Sequence, residues 1–276
     1  MSHIFPRHTK DIPPTASFGE GCYLIDDKGK RYFDGSGGAA VSCLGHGDQE
    51  IISAIKNQVD KLAFAHTRFF TSDPAENLAD LLIKNSPGDI DRVYFVSGGS
   101  EAVEASIKLA RQYHLEKGDL NRKHIIARRQ SYHGNTLGAL AVGGNEWRRK
   151  QFSPLLINIS HIAPCYEYID KSDSESSFDY GQRAAQELED EILRLGKDEV
   201  IAFIAEPVVG ATLGAVPAVK DYFKRIREIC DKYGVLLILD EVMCGMGRTG
   251  YLFACEAENI NPGILCIAKG LGAGYQ

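Results

Sequence analysis

Two patterns of apolar positions alternate along most of the chain. The first is a short continuous apolar run. Val93–Val96, Ile125–Ala127 (within His124–Arg128), Val200–Ala205, Val235–Leu239 and Ile264–Ala268 are of this kind. Runs of this length, rich in Val and Ile, predict strands buried on both faces of a parallel sheet. The second pattern is a helical stripe. Asp48–Leu62 sets Ile51, Ile52, Ile55, Val59 and Leu62 on one face. Asp73 as N-cap, Pro74 in the first turn and Glu76 three residues on open another helix. Glu101–Glu116 repeats Val103, Ile107 and Ala110, and Gln182–Leu195 stops at Gly196. Lys220–Tyr233 carries Phe223, Ile226, Cys230 and Tyr233 and stops at Gly234, which suits a left-handed cap. Strands alternating with helices predict an α/β fold, a mostly parallel central sheet flanked by helices. Lys171–Asp179 is polar and reads as an exposed loop, and no internal repeat is present.

Such sheets bind ligands beyond the carboxyl ends of their strands, which directs attention to the residues just after each apolar run. Val93–Val96 leads into Ser97-Gly98-Gly99-Ser100 and then a helix. Small residues there let backbone N–H groups approach an anion, which a helix dipole favours; many such junctions are only turns. His124–Arg128 leads into Ser131-Tyr132-His133-Gly134. Tyr132 can stack on a flat ring or simply cover the sheet edge, and His133 fits a structural hydrogen bond as well as a catalytic role. Val200–Ala205 ends in Glu206-Pro207 and Val235–Leu239 in Asp240-Glu241-Val242. A carboxylate directly after an aliphatic run is at the surface or in a site, because burial without a partner is costly. Ile264–Ala268 ends in Lys269-Gly270, a surface lysine or an amine held at a strand end. Gly245–Gly250 has the spacing of a dinucleotide fingerprint but lacks the helix that should open inside it, so that reading is rejected. Together these strand ends set an anion cradle, an aromatic, two carboxylates and a lysine along one rim. A pyridine-ring phosphate cofactor asks for that set.

Composition adds exclusions. Charged residues make up 25% of 276 residues and the formal net charge is −6. Arg128-Arg129 and Arg148-Arg149-Lys150 are short clusters, read as solvated surface, so nucleic acid is not an expected partner. The seven cysteines form no C-x-x-C pair and no zinc pattern. No apolar run has the length of a membrane span, and Met1–Phe5 is too short for a secretory segment, so a cytoplasmic protein with no membrane partner and no metal is expected.

The residues at these strand ends identify a resemblance to the class-III aminotransferases, pyridoxal-phosphate (PLP) enzymes of fold type I. It runs over nearly the whole chain: Asp26, Gly29, Tyr32, Asp34 and Gly45-His46 in the opening, then Ser97–Ala102, Ser131–Thr136, Ala205–Val208, Leu239–Gly250 and Ala268–Gly270 in family order. The resemblance implies that Gly99 and Ser100 hold the phosphate. It places Tyr132 and Val242 on the two faces of the pyridine ring, with His133 in the same cofactor pocket. Asp240 then pairs with the ring nitrogen, Lys269 carries the Schiff base, and Glu206 is similar to the family's glutamate near the substrate and ring hydroxyl. The expected reaction moves an amino group from an amine or amino acid to a 2-oxo acid. A PLP aminomutase and an inactive PLP-binding or scaffold protein are the alternatives. A homodimer is implied as well.

The chain departs from the family pattern at Val209, where many members have Gln, and at Gly47-Asp48-Gln49. It stops at Gln276, shortly past Lys269. The resemblance therefore implies that much of the small domain, a substrate-carboxylate arginine and a phosphate-binding threonine are absent. The expected organisation is 1–62 as a segment of the small domain and 63–276 as an incomplete large PLP-binding domain. Phe64, Arg68 and Phe69 are candidates for contact with a substrate whose identity the sequence does not give.

Overall fold

A computed structural model describes residues 3–5 and 10–275. The expectations for Met1-Ser2 and Gln276 lie outside these residues. The described chain forms two compact units, one of residues up to Phe70 joined by those from Gly272, the other Thr71–Leu271.

The first unit is built on an antiparallel meander of Ala16–Glu20, Tyr23–Asp26 and Arg31–Phe33. Its second turn is held by Asp26. One carboxylate oxygen accepts the N–H of Lys28 and Lys30, the other the Tyr32 hydroxyl at 2.9 Å. Asp34 accepts Ser42 Oγ and His46 Nε2, both at 2.9 Å. The helix Gln49–Lys61 is capped by Asp48, whose carboxylate accepts the N–H of Glu50 and Ile51. Its apolar stripe is as expected in sequence, yet no residue of the helix is buried.

The second unit carries a five-stranded parallel sheet. Its order is Ile264–Cys266, Leu236–Asp240, Val200–Ala205, His124–Arg128, Ser160–Ile162. Each apolar run is split by the pleat between two cores. Ile126, Phe203 and Leu237 pack under the helices Ser177–Leu195 and Tyr222–Tyr233. Ile125, Ile204 and Ile238 pack against Val103, Ile107 and Ala110 of the helix Gly99–Glu116 and against Ala139 and Val142. All six residues of Val200–Ala205 are buried. Side chains such as Phe203 each contribute about 1.5–3 kcal/mol. No described helix is long and apolar enough to cross a membrane.

Four expectations need correction. Asp73 is the first residue of the helix Asp73–Lys84 and not its N-cap, which is Ser72. Val93–Val96 is not a strand: no ladder forms there, and Tyr94 is 77% exposed. An apolar run becomes a strand only with a hydrogen-bonding neighbour, and none of the described strands lies beside it. Ser177–Asp179 belongs to a helix and not to the polar loop, because Ser176 accepts the N–H of Asp179 and starts the helix early. Arg128 is not solvated but 1% exposed, because it is the last residue of a central strand.

The two helices over the first core are tied by Glu189, which accepts Lys232 Nζ at 2.5 Å, Tyr233 Oη at 2.8 Å and Arg225 Nη2 at 3.1 Å. The Lys232 and Tyr233 bonds lower the Glu189 pKa to about 2. A depressed carboxyl pKa stabilises the fold above the unfolded-state value and loses that contribution as pH falls through the folded one. Glu189→Gln should therefore lower the urea midpoint at neutral pH. Its difference from the unsubstituted protein should shrink as pH falls from the ordinary 4.5 toward about 2. Parallel midpoint curves over that window would contradict this.

Candidate active site

The carboxyl ends of four sheet strands and the start of the Gly99–Glu116 helix converge. His133 Nδ1 lies 2.8 Å from Asp240 Oδ2, with both side chains buried. Asp240 Oδ1 accepts the N–H of Val242 at 3.0 Å, which fixes the carboxylate against its own turn. A carboxylate facing Nδ1 selects the tautomer with its proton there. Nε2 has no hydrogen-bond partner among the described residues.

Glu206, also buried, accepts the N–H of Tyr132 at 3.2 Å through Oε2 and that of Gly210 at 3.3 Å through Oε1. Burial pushes its carboxyl above the usual carboxylate range. Asp240 adds to that shift, while His133, the Tyr132 N–H and Arg128 oppose it. The Arg148 guanidinium lies over the Tyr132 ring, 4.8 Å from its centroid.

The helix start is drawn in by glycines. A Cβ on Gly99 would lie 2.7 Å from Val242 Cγ1 and 3.5 Å from Ala268 Cβ. The first turn of the helix thus rests on Val242 and on the residue before Lys269. A Cβ on Gly134 (φ +136°) would lie 2.7 Å from Ser100 Cα. The same approach lets Ser100 Oγ accept the N–H of Asn135 at 3.0 Å and Ser100 O accept the Thr136 hydroxyl at 3.2 Å. Gly98 caps the helix without a side-chain bond, and no described atom lies within 4 Å of where its Cβ would be. The first N–H groups of this 18-residue helix have no acceptor within the helix itself.

Lys269 follows this rim. It is half-buried and begins a short turn, Lys269–Leu271, with φ +42°. A non-glycine residue held in the left-handed region costs on the order of 1–3 kcal/mol, a strain that gathers at functional sites.

All eight residues singled out in the sequence thus stand in one region of the second unit. Gly99, Val242, Asp240 and His133 form one chain of contacts, Glu206 and Tyr132 a second, and Ser100 joins Gly99 to the loop that carries Tyr132 and His133. Phe64, Arg68 and Phe69 belong to the first unit and are exposed. Val209 is buried and pairs with Val216 in a two-stranded ribbon, so its side chain offers the site no hydrogen bond.

Two contributors are not foreseen from the sequence. Glu241 is fully buried and clamps the turn Ala254–Glu258, accepting the N–H of Ala254 and of Cys255 at 2.5 and 2.8 Å. Arg128 donates through Nη2 to the main-chain carbonyl of Glu206. The run of apolar residues before Asp240-Glu241 signals one buried carboxylate, and nothing local distinguishes a second.

This unit has the fold type I architecture of PLP-dependent transferases, which solved transaminase structures share. A thermostable (S)-enantioselective omega-transaminase from Thermomicrobium roseum superposes with a TM-score of 0.93 at 37% identity, over 99% of this chain and 62% of that one. The omega transaminase from Pseudomonas jessenii, in complex with PMP, does so with a TM-score of 0.92 at 32% identity, over 99% and 62%. In sequence, the aminotransferase class-III family model matches residues 4–276. An uncharacterized aminotransferase of Schizosaccharomyces pombe is 48% identical over 276 residues, covering 100% of this chain and 60% of the relative. The chain belongs to the class-III aminotransferase family. It spans about 60% of the length of that relative.

Proposed function

We propose that the chain carries the PLP site of a transaminase that moves an amino group from an amine or amino acid to a 2-oxo acid, with Lys269 as the lysine that binds the cofactor. The observation that carries this reading is the buried His133–Asp240 pair, which lies on the same rim as the open helix start and the lysine strand. The residues fit the group on two counts. No described atom lies within 4 Å of where a Cβ on Gly98 would be, and a Cβ at Gly99 would displace Val242, the residue assigned to one ring face. The omega transaminase from Pseudomonas jessenii is in complex with PMP, the aminated form of the same group, which supports the reading.

When bound, PLP supplies the aldehyde that takes the substrate amine and the ring that accepts the electrons of the broken Cα–H bond. The helix N–H groups at Gly99 and Ser100 would hold the phosphate. Tyr132 and Val242 would flank the ring, with the Arg148 guanidinium against Tyr132. Asp240, kept in place by the Val242 N–H and His133, would set its negative charge against the ring nitrogen. Lys269 would bind the cofactor and supply the amine that moves a proton at substrate Cα. Such positioned transfer contributes about 10²–10⁴-fold. Glu206 orients the ring hydroxyl and the substrate side of the pocket. A homodimer in the cytoplasm is the setting we assign to this activity, on the family resemblance.

The test is a two-step spectrum. The visible band of protein-bound PLP should fade on addition of an amino donor and return on addition of a 2-oxo acid. A band that fades without returning, with no acceptor consumed, would point to an aminomutase or another PLP reaction. No band would leave an inactive scaffold. A second prediction concerns the cradle. Gly99→Ala forces Val242 and the helix start apart, and overpacking of this kind costs about 1–3 kcal/mol. PLP affinity measured by fluorescence titration should fall by roughly tenfold or more. Unchanged affinity would remove the phosphate from this helix.

A further inference from the structure

Arg128 ends its strand on the sheet face covered by the helix Tyr222–Tyr233. Its guanidinium lies 5.9 Å from the Tyr222 ring and 5.5 Å from the Phe223 ring. Nη2 donates to the carbonyl of Glu206, and Nε has no hydrogen-bond partner among the described residues. No carboxylate among the described residues forms an ion pair with it. A guanidinium keeps its charge at physiological pH, and a buried charge without a partner is expensive. The aromatic rings recover part of that cost. The Glu206 carboxyl, on the residue whose main chain Arg128 grips, is buried as well.

We propose that Arg128 is a positioning residue: from behind the sheet it anchors the main chain at Glu206 and supplies the counter-charge that keeps the Glu206 carboxylate ionised in the site. The proposal deepens the reading of Glu206 as a site residue and rests on it. The groups that face this carboxylate come from three strand exits. Asp240 opposes its ionisation, as does burial. His133, the N–H groups of Tyr132 and Gly210, and Arg128 favour it, and the Cys244 thiol lies near. With two buried carboxylates on one rim, one of the two takes up a proton unless positive charge is close. Arg128 provides such charge from the face of the sheet that Tyr222 and Phe223 cover.

Two substitutions separate charge from shape. Arg128→Gln removes the charge and leaves a shorter neutral donor. Arg128→Lys keeps the charge and removes the planar fork. The readout is carbon-13 NMR of labelled glutamate carboxyls in protein without added cofactor, with the Glu206 resonance assigned by its loss in Glu206→Gln. The unsubstituted protein should show Glu206 ionised at neutral pH. Arg128→Lys should titrate within a few tenths of the same midpoint, and Arg128→Gln about one pH unit or more higher. An unchanged midpoint in Arg128→Gln overturns the proposal, as does a Lys variant displaced as far as the Gln variant. A Glu206 carboxyl already protonated at neutral pH in the unsubstituted protein overturns it too, and that result needs no variant to fold. The role of Glu206 toward PLP fails on a different result, unchanged PLP affinity in Glu206→Gln.

Discussion

Lys269→Ala should abolish turnover while leaving most of the non-covalent grip on PLP. The lysine is assigned two tasks, binding the cofactor aldehyde and moving the proton between Cα and C4′. Loss of the second alone lowers the rate by about 10²–10⁴-fold; loss of the first also removes the covalent bond that holds the cofactor. The phosphate cradle, Tyr132, Val242 and Asp240 are untouched by the change. The variant should bind PLP with a weaker affinity but show no band that responds to an amino donor. Alanine, like lysine a residue with a Cβ, neither favours nor disfavours the φ of +42° at this position more than lysine does, so the fold should be little altered. A variant that retains within tenfold of the original rate would place the essential amine elsewhere.

Asp240→Asn should lower kcat by about 10²–10³-fold, the scale seen when one preorganised electrostatic partner of a developing charge is removed. Asparagine fills the same volume and can still accept the Val242 N–H or face His133. What it cannot do is hold a positive proton on the ring nitrogen. The effect should therefore fall on kcat far more than on PLP affinity, and Asp240→Glu, which keeps the charge but displaces it, should recover part of it. The structural loss is smaller: a charge-assisted bond such as that with His133, 2.8 Å long, is worth about 1.5–3 kcal/mol. Equal losses in affinity and in kcat would mean that Asp240 serves binding alone.

Much of this site is legible in the sequence because its determinants are local. Val200–Ala205 and the run before Asp240 are continuous and aliphatic, so a carboxylate at their ends stands out, and both strands form where the pattern places them. Gly196 and Gly234 stop their helices with positive φ, as helix ends require. The features that stay hidden depend on pairing across the chain. Ser160–Ile162 is a three-residue strand with two polar residues, recognisable only by its partner Ile126–Arg128. Val93–Val96 has a strand's composition and no described neighbour to pair with. Arg128 looks like half of a surface cluster in sequence, since Arg129 next to it points the other way and is exposed. The glycine at position 99 reads as turn chemistry, whereas its reason is the approach of Val242 from a strand end 143 positions later in the chain — a contact that arises from the sheet order alone.

Whether Lys269 is the cofactor lysine is decided by reducing the chain with borohydride in the presence of PLP and mapping the modified peptide by mass spectrometry. One stable phosphopyridoxyl adduct is expected, on Lys269 in the stretch Ala268-Lys269-Gly270. An adduct confined to other lysines, or none at all in folded protein, would contradict the assignment.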